Sequence, residues 1–339
     1  MVMFNLLAVI ILFSGMLFSS VVKADDIDPS NWMAGLDDAA RITRISIPGT
    51  HDSAADTYHC SLDPNCLKLI GFVATQTYEI TDQLAKGIRF FDIRLAYEDD
   101  LLKFYHGNKK GRRFYLGQQL SDAIDAVQAH LKSNPYEFVI FLIKQEYNPS
   151  DISNDTFWKK IYEQLDDYDY NELFYFSQHG VPTVGEVQGK IVIMAREKPS
   201  DYPGSSDPYH VEWSDNTVHY EGHDGHLLYV VEDHYSLATV GTDTKFAEIM
   251  QNLYLAGYCD SCCNPMTLFI TFLSGEGDVL GKGPSHYAEY ENLHTATWLR
   301  EKGGPHPGIV VMDFAGDSDY SGDWLIQEVI KQNFWQKQP

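Results

Sequence analysis

The sequence predicts an α/β protein: a distorted, incomplete (β/α)8 barrel of the TIM type, built as a single domain. Three observations carry this expectation. Eight apolar runs of strand length recur along the chain. Helical patterns lie between several of them. Each run is followed within three residues by a polar or charged side chain.

The runs are Arg44–Pro48, Ile88–Ile93, Leu102–Tyr105, Glu137–Ile143, Lys190–Ala195, Leu227–Val231, Thr267–Phe272 and Gly308–Met312. They are continuous rather than alternating, as expected of parallel strands buried on both faces. Leu120–Lys132 places Leu120, Ile124, Val127 and Leu131 on one helical face, with Pro135 soon after. Phe157–Leu165, Thr244–Leu255 and Tyr287–Glu301 read as further helices. The distortion is expected after the second run. Only about eight residues separate Arg94 from the run leading to His106, whereas a parallel neighbour normally needs a dozen or more. At about 3.3 Å per residue an extended segment can descend the wall once, so at least one helix is missing.

The barrel is assigned to residues 25–339 and a secretory leader to residues 1–24. Leu6–Phe13 is the apolar core of that leader, and the small residues before Asp25-Asp26 suit cleavage near Ala24. An uncleaved N-terminal anchor is the alternative. No linker, repeat or low-complexity block divides the remainder, and no later segment is apolar for long enough to span a bilayer. The expected location is extracellular or lumenal. Once Lys23 is removed, 24 basic residues face 48 acidic ones. That balance argues against nucleic acid as a partner and against a polybasic membrane face. In an oxidising compartment Cys60 and Cys66 can close a small loop. Cys259, Cys262 and Cys263 offer a second disulfide or, less well matched in spacing, a zinc site. Asn154-Asp155-Thr156 fits the glycosylation acceptor pattern.

Chemistry concentrates at the run ends: His51, Arg94, His106, Lys144, Arg196, Asp233, Ser274 and Asp313. Barrel enzymes build their sites at the carboxyl ends of the strands. Two imidazoles and a guanidinium in an acidic protein suit a phosphodiester whose alcohol carries a neighbouring hydroxyl. His51 as base removes the hydroxyl proton. His106 as acid protonates the departing oxygen. Arg94 neutralises the non-bridging oxygens with a planar fork. Asp313, at the end of the last strand and so beside the first in a closed barrel, holds the far nitrogen of His51. Asp52 and Asp92 are partners for Arg94 or for the leaving-group side. Each has a plainer reading: core histidines, a helix cap at Asp313, rim ion pairs at Lys144, Arg196 and Asp233.

The chain resembles the X domain of phosphatidylinositol-specific phospholipase C in its small, secreted, bacterial-type form. The resemblance rests on Ile45-Ser-Ile-Pro-Gly-Thr-His51-Asp52-Ser53 and Gln83-Leu-x-x-Gly-Ile-Arg-Phe-Phe-Asp92-Ile-Arg94. It continues through His106-Gly107, Lys144 to Tyr147, Gly189 to Arg196, Trp213 to Asn216, Glu232 to Tyr235 and Val311 to Asp313. It implies cleavage of phosphatidylinositol, or of the inositol-phosphate link of a glycosyl-phosphatidylinositol anchor, to diacylglycerol and inositol 1,2-cyclic phosphate. By motif position His51, His106, Arg94, Asp52 and Asp313 match the catalytic set. Lys144, Arg196, Asp233 and Tyr235 match the inositol pocket, though Tyr235 also suits simple packing.

Calcium-dependent members carry a Glu-x-Asp pair where this chain has Asp92-x-Arg94, and an Asn where it has Asp52. No cofactor or metal is therefore expected. His219, His223 and His226 are at most an incidental metal site. The resemblance implies that Leu67–Val73 is a rim helix dipping into lipid, with Leu69, Ile70 and Phe72 as contacts; a core-facing helix is the alternative. No obligate protein partner is implied. Two other functions compete: a catalytically inactive inositol- or lipid-binding module, and a metal-dependent glycerophosphodiesterase-like barrel.

Overall fold

The computed structural model describes residues 27–107, 113–177, 180–197, 207–225, 227–237, 239–258, 264–277, 282–302 and 306–335. Residues 1–24, expected to be a leader, and His226, Cys259, Cys262 and Cys263 lie outside the described residues. Among the described residues, twelve strands form one sheet. They are β1 (Ile47–Thr50), β2 (Phe90–Glu98), β3 (Leu101–Gly107), β4 (Arg113–Gln119), β5 (Val139–Gln145) and β6 (Phe174–Tyr175). Then come β7 (Ile191–Ala195), β8 (Tyr209–His210), β9 (Thr217–Asp224), β10 (Leu227–Asp233), β11 (Thr267–Phe272) and β12 (Ile309–Met312).

A run of parallel pairings gives the order β6-β7-β5-β2-β1-β12-β11-β10. The central strands are buried along their whole length, which explains their unbroken apolar runs. Gly49 on β1 is required by close approach, since a Cβ there would lie 2.8 Å from the Phe90 ring. Helices Leu120–Ser133, Asn154–Leu165, Thr242–Tyr258 and Pro284–Lys302 supply the crossovers, and Gly322–Lys331 follows β12 and packs against β1. The four crossover helices match the helical patterns of the sequence; Gly322–Lys331 is not among them.

The barrel is incomplete at one seam. There β8 extends the β7 edge, while β9 runs antiparallel to β10. Side chains bridge the seam: the His210 main-chain N–H donates to Asp224 at 2.9 Å, and the Tyr229 hydroxyl donates to the Glu212 carbonyl at 2.9 Å.

The irregularity after Arg94 has a different form from the one expected. The run Leu102–Tyr105 is not a barrel stave. It belongs to β3, which folds back antiparallel on β2, and β4 folds back again on β3. Asp99 and Asp100 make the reversal with φ of 51° and 62°, the paired left-handed conformation of a tight hairpin turn. The chain then returns through the helix Leu120–Ser133 to β5, parallel beside β2. This hairpin carries His106 to the rim from the antiparallel direction.

At the opposite end of β2 the Arg89 side chain is fully buried. It donates to Glu137 at 2.6 Å and to the carbonyls of Leu84, Ile88 and Ser30. Glu137 also accepts the Met33 N–H. With its donors satisfied, this buried ion pair ties the N-terminal segment to the base of the barrel.

Candidate active site

The ends of β1, β2, β3, β5, β7, β10 and β11 converge on one cleft of about 280 Å³. His51, Arg94, His106, Lys144, Arg196, Asp233, Tyr235 and Ser274 all line it. Asp52 and Asp313 are buried behind it.

Each imidazole is held by its own carboxylate. His51 Nδ1 lies 2.8 Å from Asp313 Oδ1, and His106 Nδ1 lies 2.5 Å from Asp52 Oδ2. Both contacts leave Nε2 for the cleft. β1 and β12 are parallel neighbours, so their exits bring residues 51 and 313 together. Asp52 adopts φ 41°, a left-handed conformation that Asp tolerates. This turns its carboxylate away from its neighbour in sequence, His51, and under His106. Burial pushes the His51 pKa down, but the Asp313 carboxylate outweighs it and the net shift is upward.

Asp92 anchors the cationic side. Its Oδ2 accepts from Arg94 Nε at 2.8 Å and from the Asp52 main-chain N–H at 3.1 Å. Burial opposes the charge on Arg94, yet Asp92 and then Asp52 raise its pKa, so the guanidinium stays charged. Thus Asp92 takes Arg94 and Asp52 takes His106, which divides the two roles the sequence left open.

Lys144 and Arg196 form the far wall. Lys144 Nζ bonds Glu146 Oε2 at 2.9 Å. The Arg196 guanidinium lies 3.5 Å over the Trp213 ring centroid. Burial lowers its pKa, against the opposing field of Asp233. Trp213 Nε1 donates to Asp233 at 3.0 Å, and the Tyr235 hydroxyl donates to Asp215 at 2.8 Å. The result is a ring of alternating charges, suited to hydroxyl groups around a polyol and to one phosphate.

A family model for the X domain of phosphatidylinositol-specific phospholipase C matches residues 46–197, which hold both imidazoles, Arg94, Lys144 and Arg196. The 1-phosphatidylinositol phosphodiesterase of Staphylococcus aureus (strain Newman) is 29% identical over 312 residues, spanning 90% of this chain and 94% of that protein. Residues 46–197 thus match the X domain of that family, and the chain as a whole is similar to its bacterial phosphodiesterases. The Listeria monocytogenes 1-phosphatidylinositol phosphodiesterase is 28% identical over 315 residues, covering 91% of this chain and 86% of its own. A solved mutant form of the Staphylococcus aureus phosphatidylinositol-specific phospholipase C shares the fold with TM-score 0.75 and 27% identity, over 89% of this chain and 98% of that one. The solved Listeria monocytogenes phospholipase C gives TM-score 0.70 at 26% identity, over 90% and 99%.

Sequence reading of this X-domain chain missed several residues. Glu146 accepts from Lys144 and from the Gly107 N–H, and lies 3.9 Å from Arg94 Nη1. Burial pushes its pKa up, but Arg94 and Lys144 together bring it down to about 2. Gln76 clamps the strand exits: its Nε2 donates to the His51 and Met312 carbonyls, and its Oε1 accepts the Ala315 N–H. Arg113 reaches the cleft from β4.

The stretch assigned to lipid contact is divided. Leu69 and Ile70 are half-buried against the core, whereas Leu67 is 51% exposed and Phe72, on the cleft mouth, is 38% exposed. A disulfide joins Cys60 to Cys66 and staples together the two short helices that hold them, Thr57–Leu62 and Pro64–Leu67. His219 pairs with Glu221 on β9. Among the described residues, no group of three or more His, Cys, Asp or Glu side chains forms a metal-ligand set.

Proposed function

We propose that this protein is a secreted, metal-independent phosphatidylinositol-specific phospholipase C. It cleaves phosphatidylinositol, or the inositol-phosphate link of a glycosyl-phosphatidylinositol anchor, by attack of the inositol 2-hydroxyl on phosphorus. One observation carries this reading: two imidazoles, each backed at Nδ1 by a separate buried carboxylate, share a cleft with a charged guanidinium. In the reaction His51 Nε2 takes the 2-hydroxyl proton as that oxygen bonds to phosphorus. The bond to the diacylglycerol oxygen breaks, and His106 protonates that oxygen. Arg94 holds the non-bridging oxygens. Asp313 and Asp52 stabilise the charged imidazoles without taking their protons. Lys144, Arg196 and Asp233 bond the ring hydroxyls, and Tyr235 packs against the ring face. Phosphorus NMR of the reaction mixture tests this directly. A five-membered cyclic diester as first product is expected; a monoester with no cyclic precursor would overturn it.

Arg94 stands where calcium-dependent members have a metal ligand, and it supplies a fixed positive charge there. Activity in excess chelator is therefore expected to equal that without chelator. Complete loss would favour the metal-dependent glycerophosphodiesterase alternative. Secretion is supported by the apolar run Leu6–Phe13, read as the core of a leader, and by the Cys60–Cys66 bridge.

Lipid contact is assigned to Leu67 and Phe72, with Leu69 and Ile70 as their support from below. Losing one inserted aromatic side chain removes at least about 1.5 kcal/mol of burial, or roughly tenfold in binding. Phe72→Ser is expected to lower activity on phosphatidylinositol vesicles by that factor. Its activity on a water-soluble inositol phosphodiester should change little. Equal loss on both substrates would return Phe72 to a purely structural role.

A further inference from the structure

The inner face of the helix Pro284–Lys302 carries three polar side chains among the apolar Tyr287, Ala288, Ala296 and Leu299. Glu291, Asn292 and Thr295 are all fully buried there. Burying three such groups is costly unless they are used.

Asn292 has a visible use. Its Nδ2 donates at 2.9 Å to the main-chain carbonyl of Asp313, the residue whose carboxylate holds His51. The chain turns sharply just beyond, with Phe314 at φ 52°. The Asp313 peptide is thus fixed by Asn292 on the helix side, while Gln76 grips the flanking Met312 and Ala315.

Glu291 lies next to Asn292, and neither of its carboxylate oxygens has a hydrogen-bond partner. Lys245, the nearby cation, is already bonded twice to Glu232, at 2.8 and 3.0 Å. The other charges facing Glu291 from β10 and from the helix Thr242–Tyr258 are Glu232, Asp243 and Glu248, all acidic. Glu248 is itself bonded to His234. Burial raises the Glu291 pKa to about 8, with Lys245 opposing and Glu232 adding to the rise.

We propose that Asn292 is a positioning residue for the acid–base pair, acting through the Asp313 main chain on the Asp313–His51 hydrogen bond, with Glu291 beside it tolerated only as an uncharged acid. This rests on the phospholipase reading above, which wild-type turnover checks separately. Asn292 touches no substrate, so its removal acts on the orientation of His51 and not on inositol binding.

The test is Asn292→Ala, together with Asn292→Leu, which keeps the shape without the donor and serves if the alanine variant does not fold. Against an active wild type, kcat on a water-soluble inositol phosphodiester is expected to fall at least tenfold, with KM within twofold. The downfield proton NMR signal of the His51–Asp313 hydrogen bond should move. A folded variant with wild-type kcat and an unmoved signal would overturn the role of Asn292.

Glu291→Gln tests the uncharged acid. A carboxyl whose pKa is raised in the folded state loses stability as pH climbs from its unfolded value, 4.5, to its folded one, about 8. The melting temperature of Glu291→Gln should therefore gain on wild type across that range and level off above it. A constant difference from pH 4.5 to pH 9 would overturn the uncharged state of Glu291.

Discussion

His106→Ala is expected to lower turnover of phosphatidylinositol by about 10²–10⁴-fold, the usual contribution of a positioned general acid. His51→Ala should lose a similar factor. The two losses differ in origin, and the substrate can separate them. A leaving alkoxide such as that of diacylglycerol needs a proton in the transition state, whereas a phenolate does not. An inositol phosphodiester with an acidic phenol as leaving group should therefore restore much of the activity of His106→Ala and little of that of His51→Ala. Equal recovery in both variants, or near-normal turnover in either on phosphatidylinositol, would falsify the division of roles.

Stability gives a second handle on the same pair. Removing the His106 ring strips the Asp52 carboxylate of its 2.5 Å partner while the group stays buried. An orphaned buried acceptor costs about 1–3 kcal/mol. The double variant Asp52→Ala/His106→Ala should recover part of that loss without recovering activity, because the two residues touch and their effects are not additive. The His51 pair fixes the pH dependence. Its pKa is raised above the ordinary 6.5 by Asp313. The stabilising contribution is full below 6.5 and is lost as pH rises through the raised value. Because the base must be neutral, the acid limb of kcat/KM lies above 6.5. Asp313→Asn should move that limb to lower pH while depressing the plateau.

Much of this site is legible in the sequence because parallel strands buried on both faces leave only their ends free to be polar. His51, Arg94, Lys144, Arg196, Asp233 and Asp313 stand out against apolar runs for that reason. Legibility fails where periodicity is ambiguous. Leu102–Tyr105 has the composition of a stave, but the pair Asp99-Asp100, able to take φ above zero twice, was the sign of a hairpin. β4 shows the complementary signal: exposed and buried residues alternate along Arg113–Leu116, the mark of a strand with one wet face. The two-residue strands β6 and β8 carry too little sequence to be recognised. Glu146 and Gln76 escape for another reason. Their importance comes from groups distant in sequence, Arg94 and Gly107 for one and Met312 and Ala315 for the other, which only the fold brings within reach.

Arg94→Lys keeps the charge and removes the shape, so it isolates what the guanidinium contributes by geometry. Nε of Arg94 is committed to Asp92 at 2.8 Å, and Asp92 also accepts the Asp52 N–H. The bond to Asp92 fixes the plane of the fork, whose terminal nitrogens are then available to two phosphate oxygens at once. A lysine ammonium can satisfy Asp92 or approach the phosphate, but one nitrogen on a flexible stem cannot hold both in a fixed plane. The developing charge on the non-bridging oxygens then loses a preorganised partner, a loss of about 10²–10³-fold in kcat for a single such donor. Asp92, Asp52 and Glu146 all favour a cation at this position, so the ammonium should stay charged and the melting temperature should change little. KM should rise only modestly, because Lys144, Arg196 and Asp233 still grip the ring. Steady-state kinetics on mixed micelles, with calorimetry on the same preparation, decide the matter. If Arg94→Lys retains more than a tenth of wild-type kcat, charge alone suffices at the phosphate and the planar fork is not what the reaction requires.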